Sequence, residues 1–179
     1  MTGGSPQVLV LNGGSSSGKS TLARALQELL DGSWLRLGVD TLVDAAPPRL
    51  FGAAGLSLGD DGEVTVGPDW VAVERQWMTG VAAMAAAGAR LLVEDNFVSG
   101  PGAQQRWQQA LCDVAVGWVG VRCSPEVVTE REAARGDRVA GMAANQAESV
   151  HTGITYDLVV DTGRSTPERL ATVVRAHFF

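Results

Sequence analysis

The sequence predicts an α/β fold, a three-layer α/β/α sandwich built on a five-stranded parallel sheet. Two observations lead there. Short apolar runs alternate with stretches of helical periodicity, the pattern of a parallel sheet covered on both faces. The first of these runs, Val8-Leu9-Val10-Leu11, passes through a glycine-rich turn into a helical pattern carried by Thr21, Leu22, Ala25, Leu26, Leu29 and Leu30. At 179 residues the chain is long enough for one sizeable core, and length alone calls for no second domain.

Each element has its own signal. The apolar runs predict strands over 8–11, 34–39, 91–94, 116–121 and 158–160. Helices are expected over 19–30, 41–46, 69–87, 103–111, 125–134, 142–150 and 167–177. Ser124 before Pro125, and the run Ser165-Thr166-Pro167-Glu168, mark two helix starts, while Gly88 ends the long alanine-rich helix. One segment, 47–68, breaks the alternation. Its Asp61-Gly62 step between alternating flanks predicts a hairpin-like insertion standing above the sheet, either a decoration or one wall of an acceptor pocket. The whole chain, 1–179, reads as one domain.

Composition narrows the chemistry. A net charge of −6 argues against a nucleic-acid backbone as main partner, and no apolar run approaches the length of a membrane span. The first seven residues lack the positive charge of a signal peptide, so a cytoplasmic protein is expected. Cys112 and Cys123 have neither metal-ligand spacing nor a secretory setting and read as two thiols. His151 and His177 stand apart from any cluster.

The chain holds a single lysine among its 14 basic residues, and it lies in Gly13-Gly14-Ser15-Ser16-Ser17-Gly18-Lys19-Ser20. This is a complete G-x-x-x-x-G-K-[ST] motif between a predicted strand and a predicted helix, which makes the expected architecture a P-loop NTPase fold. Such a loop turns successive backbone N–H groups onto phosphate oxygens, with the helix N-terminus adding positive potential. The amides from Gly14 to Thr21 form the nest, Lys19 spans the outer phosphates, and the Ser20 hydroxyl is placed to ligate Mg²⁺. A nucleoside triphosphate is the expected ligand.

Asp40 follows the second strand, whose carboxyl end opens on the same edge as the P-loop in a parallel sheet. It reads as a general base for an attacking hydroxyl, or as the N-cap of the helix beginning at Thr41, and the two roles are compatible. Glu94-Asp95 closes the third strand in the manner of a metal-holding carboxylate. Alternation turns one of the two toward the site, and Asp95 is the preferred one. Arg131 and Arg135 share a helix face, with Gly136 and Arg138 following. This arginine group, over 131–141, is either a lid that closes on a triphosphate or a solvated face balanced by Glu130, Glu132 and Asp137.

Taken together, Leu11-Asn12-Gly13-Gly14-Ser15-Ser16, Gly38-Val39-Asp40, Trp118-Val119-Gly120-Val121-Arg122-Cys123 and Ala134-Arg135-Gly136-Asp137-Arg138-Val139-Ala140-Gly141-Met142-Ala143 resemble the chloramphenicol phosphotransferases. These are small P-loop kinases that move the γ-phosphate of ATP to the primary hydroxyl of the antibiotic. The resemblance implies Asp40 as base, Arg135 and Arg138 in a lid, and Asp161-Thr162 near adenine. Departures are the lead at 2–6, Glu94 where an aspartate is expected, and the weakly matching stretch 45–61. The expected function is therefore ATP- and Mg²⁺-dependent phosphorylation of a small-molecule hydroxyl, most readily that of chloramphenicol. The alternatives are another natural product or metabolite as acceptor, or a nucleotide-dependent switch that hydrolyses ATP slowly.

Overall fold

The computed structural model describes residues 4–59, 62–135 and 141–179, with the side chain of Arg135 outside that description. Five strands run parallel: β1 (Val8–Asn12), β2 (Trp34–Gly38), β5 (Arg90–Asp95), β6 (Val116–Arg122) and β7 (Leu158–Asp161). They lie in the order β2-β5-β1-β6-β7. The chain thus leaves β1 toward β2 on one side and later fills β6 and β7 on the other, so the carboxyl end of β1 is the switch point where such sheets bind ligands.

Among the described residues seven α-helices accompany the sheet: α1 (Lys19–Leu29), α2 (Val39–Ala45), α3 (Pro68–Ala86), α4 (Pro101–Ala110), α5 (Pro125–Arg135), α6 (Met142–Ser149) and α7 (Pro167–Phe178). Strand alternation divides the core. Leu9, Leu11, Leu92, Val119 and Val121 pack with α1 and α7 through Leu22, Leu26, Leu170 and Val174. Val8, Val10, Leu91 and Val93 turn to the opposite layer, against Met78, Val81 and Ala85 of α3 and Trp107 of α4. Both faces are apolar because both are covered, which leaves the strands without a polar side.

Local chemistry sets the helix ends. Thr166 caps α7 by accepting from the Arg169 amide at 3.5 Å, and Pro167 follows in the first turn. Ser124 Oγ accepts from the Val127 amide at 3.5 Å at the start of α5. Gly88, at φ 95°, follows α3 in the left-handed conformation that glycine adopts without steric cost. The insertion is a hairpin of two antiparallel strands, β3 (Leu56–Leu58) and β4 (Val64–Val66), with Gly62 at φ 79° in the turn. Asp61, named for that turn from sequence, lies outside the described residues. Among the described residues no helix is long and apolar enough to cross a membrane.

Candidate active site

The P-loop occupies the switch point. Its entry is tight: a Cβ on Gly13 would lie 2.4 Å from the Val121 carbonyl oxygen, so the first glycine of the motif is required by the backbone of β6. Gly18 sits at φ 87° against Thr162, and Ser16 takes φ 55°, left-handed conformations of the kind that build an anion-binding nest. Lys19 folds along the loop, its ammonium donating to the carbonyl oxygens of Gly13 and of Gly14, the latter at 2.8 Å. Gly14, Ser15, Ser16, Ser17, Gly18, Lys19 and Ser20 line a cavity of about 170 Å³ together with Arg36, Asp40, Glu94 and Gln146.

The carboxylate beside Ser20 belongs to Glu94. The Ser20 hydroxyl donates to Glu94 Oε2 at 2.5 Å, and Arg36 Nε donates to Oε1 at 3.0 Å. This corrects the expectation for Asp95. Position 94 shares strand parity with Leu92, which packs on the α1 layer, whereas Asp95 shares it with Leu91 and Val93 and points to the α3 and α4 layer. There Asp95 Oδ2 accepts from Trp107 Nε1 at 2.6 Å, and Oδ1 from the Asn96 and Phe97 amides at 2.7 and 3.2 Å. Burial raises its pKa, while these bonds oppose the shift. Ser20 Oγ and Glu94 therefore form the oxygen pair suited to a hard divalent cation. Among the described residues no group of three or more His, Cys, Asp or Glu converges, so phosphate oxygens and water would complete such a coordination shell.

Asp40 stands where the sequence places it, at the carboxyl edge, but it is not the cap. Helix α2 begins at Val39, two residues earlier than a capping role allows: Gly38 is the N-cap, its amide 3.4 Å from Thr41 Oγ1, and Asp40 lies exposed in the first turn. Asp40 borders two cavities. One is the phosphate cavity. The other, of about 520 Å³, runs beneath the hairpin and is walled by Val43, Phe51, Leu56, Leu58 and Trp70. Asn96, Met142 and Gln146 also border both.

Gln146 braces the loop from α6, and Asn12 ties the end of β1 to the connection between α6 and β7. Gln146 Oε1 accepts from the Ser15 amide at 2.8 Å, and α6 packs so close to Gly14 that a Cβ there would lie 3.0 Å from the Gln146 Cβ. Asn12 Nδ2 donates to Val150 O at 2.8 Å and to the Tyr156 hydroxyl at 2.5 Å, which in turn meets His151 Nδ1 at 2.7 Å. Burial, with smaller contributions from Arg122 and Lys19, lowers the His151 pKa to about 4 and keeps its ring neutral.

Arg131 braces the other side. Its guanidinium donates to Thr162 O and Oγ1 at 3.0 and 3.2 Å and to Ser16 O at 3.4 Å, tying α5 to β7 and to the loop. Arg131, Thr162, Thr21 and Gly18 line a further cavity of about 360 Å³ beside the loop. Asp161 is turned outward instead, accepting from the Gly163 amide at 2.8 Å and pairing with Arg164 at 3.2 Å. Of the expected lid, Arg138 and the Arg135 side chain lie outside the described residues.

Sequence reasoning passed over Arg36, Gln146, and Glu74 of the larger cavity with its partner Arg106. None carries a motif. The one available signal was Glu74 itself, an acid four residues after Trp70 on the buried stripe of α3.

With this geometry in place, comparison with known proteins decides the lineage. Residues 6–179 match the family described as chloramphenicol phosphotransferase-like protein. The chain belongs to that family. It is 30% identical over 177 residues to a Mycobacterium tuberculosis protein named as an O-phosphotransferase, covering 92% of this chain and 79% of the relative. The fold is shared with a sugar kinase from a Janibacter species, at TM-score 0.68 and 17% identity over 94% of this chain and 92% of that one. It is shared also with the Mycobacterium tuberculosis APS kinase, solved with AMPPNP and APS, at TM-score 0.62 and 15% identity over 97% and 98%. The shikimate kinase of Acinetobacter baumannii follows at TM-score 0.58 and 14% identity over 95% and 90%. This member of the chloramphenicol phosphotransferase-like family is a phosphotransferase with a P-loop kinase fold.

Proposed function

We propose that this chain transfers the γ-phosphate of ATP to a hydroxyl of a small molecule, chloramphenicol first among the candidates, in the cytoplasm. The observation that carries this reading is the position of Asp40 on the border between a phosphate cavity and a largely apolar one. A switch that hydrolyses nucleotide needs no second cavity, whereas a kinase must hold an acceptor in line with the phosphoryl group.

The chain's own residues then divide the work. The amides from Gly14 to Thr21 hold the phosphates, and the ammonium of Lys19, now on two loop carbonyls, exchanges them for β- and γ-phosphate oxygens. The nucleoside lies in the cavity beside the loop, against Thr21, Arg131 and Thr162. Ser20 and Glu94 fit Mg²⁺ by their hard oxygen donors, and the ion would supply charge neutralisation across the phosphates when bound. Asp40 takes the hydroxyl proton as the acceptor oxygen forms its bond to the γ-phosphorus. The bond from that phosphorus to the β–γ bridging oxygen breaks, and ADP leaves with the electron pair.

ADP release measured with and without chloramphenicol, followed by the mass of the product, tests the proposal. Acceptor-dependent release with gain of one phosphoryl group is expected. Acceptor-independent release would favour slow hydrolysis, and dependence on other alcohols alone would move the reading to a different acceptor.

A further inference from the structure

The larger cavity carries one buried carboxylate whose bonding is lopsided. Trp70, Glu74, Met78, Val81 and Ala85 form the buried face of α3, and Glu74 is the charged member of that face. Its side chain is 10% exposed. Taking a carboxylate out of water is costly, and the cost is recovered when the remaining lone pairs are satisfied. Arg106 of α4 supplies two N–H donors, but Nε at 2.8 Å and Nη2 at 2.5 Å both go to Oε2. Among the described residues Oε1 has no partner. Nor is it one of the sealed polar atoms, which are those of Asn12, Ser16, Ser17, Gln146 and His151 around the P-loop. Glu74 lines the cavity, so Oε1 is the oxygen the cavity reaches.

Resting on the acceptor site proposed above, we infer that Glu74 is a specificity-determining residue, whose Oε1 accepts a hydrogen bond from an N–H or O–H of the acceptor. The acceptor class follows from the walls. It has an apolar body that fits among Val43, Phe51, Leu56 and Trp70. It presents one hydroxyl to Asp40 and a second donor to Glu74. An acceptor whose second polar group is a bare carbonyl or ether sets oxygen against oxygen and is rejected.

Glu74→Gln gives a test that a merely structural ion pair would not pass. The amide oxygen still accepts from Arg106, which turns the NH₂ toward the cavity, so the cavity-facing group changes from acceptor to donor. The probes are four matched primary alcohols: hydroxyphenyl-propanol, aminomethylphenyl-propanol, methoxyphenyl-propanol and tolyl-propanol, each with its ring substituent at the ortho, meta and para positions. Binding is read by calorimetry and by the change in tryptophan fluorescence, to which Trp70 contributes. The native chain is expected to bind the hydroxyl or ammonium member about tenfold to a hundredfold more tightly than the tolyl member. The first two members tell a neutral donor from a cationic one. Glu74→Gln is expected to reverse the order in favour of the methoxy member. Equal binding of donor and tolyl members by the native chain, no binding of any member, or an unchanged ranking in a folded Glu74→Gln protein would overturn the inference. If Glu74→Gln does not fold, the ranking by the native chain decides alone. Donor members that bind tightly yet never yield ADP would overturn the phosphotransfer reading and leave this inference standing.

Discussion

Lys19 rests on the carbonyls of Gly13 and Gly14, the geometry of an ammonium that can travel a short way to phosphate oxygens. Lys19→Met removes that charge, and turnover should fall about a hundredfold or more with the melting temperature little changed. Near-native turnover would take the lysine out of catalysis. Glu94 and Asp95 offer a sharper contrast, because adjacent carboxylates on opposite faces of one strand should fail differently. Glu94→Gln should raise the Mg²⁺ concentration needed for half-maximal turnover while leaving stability nearly intact. Asp95→Asn keeps an amide oxygen for the Asn96 and Phe97 amides but sets its NH₂ against the Trp107 N–H, and should cost about 1–3 kcal/mol in urea unfolding, with the Mg²⁺ dependence unmoved. A shifted Mg²⁺ dependence in the asparagine variant alone would return the metal role to Asp95. The motif made the loop residues legible before any coordinates. The choice between Glu94 and Asp95 was not legible, because β5 is apolar on both faces and alternation there carries no sign of which side meets α1.

At the scale of elements the sequence read well wherever period and punctuation agreed. Among the described residues the five parallel strands and seven α-helices lie within a few residues of their expected places, and a hairpin stands between α2 and α3. The miss at α2 has a clear cause. Gly38 is a poorer capping signal than Asp40, yet the chain leaves β2 at Gly38, and backbone geometry outranks side-chain preference. Asp40 is thereby not the cap, though an acid in the first turn still favours the helix. The connection from α6 to β7 carries a second consequence. His151 is buried neutral with a pKa near 4, against about 6.5 when unfolded. Between those values the unfolded chain binds a proton that the folded chain does not, so stability is full above about pH 6.5 and falls as the pH drops toward 4. His151→Gln should remove roughly 2 kcal/mol of the stability lost between about pH 7 and pH 5, as read by chemical unfolding at both values. An identical acid limb in the variant would mean that His151 is already solvated in the folded state.

The whole molecule brings to one edge what the sequence keeps far apart. Residues 13–20, 36–40, 94–96 and 142–146 converge because β1 lies between β5 and β6 and the carboxyl ends of all three open together. The topology could be anticipated from the alternation of strands and helices, but the larger cavity could not. Its walls come from α2, the hairpin and α3, whose contacts depend on how the insertion folds back. The central claim is that Asp40, between the two cavities, takes the proton of an alcohol as the γ-phosphoryl group moves. Asp40→Asn keeps the shape of the side chain and changes helix stability by less than about 1 kcal/mol, since it alters only a charge in the first turn of α2. The deciding measurement is chloramphenicol-dependent ADP release by this variant, at saturating ATP·Mg²⁺, beside the native chain. A loss of roughly a hundredfold or more, in a protein that melts normally and still binds ATP, is the result predicted. Native-like acceptor-dependent release by Asp40→Asn would contradict it.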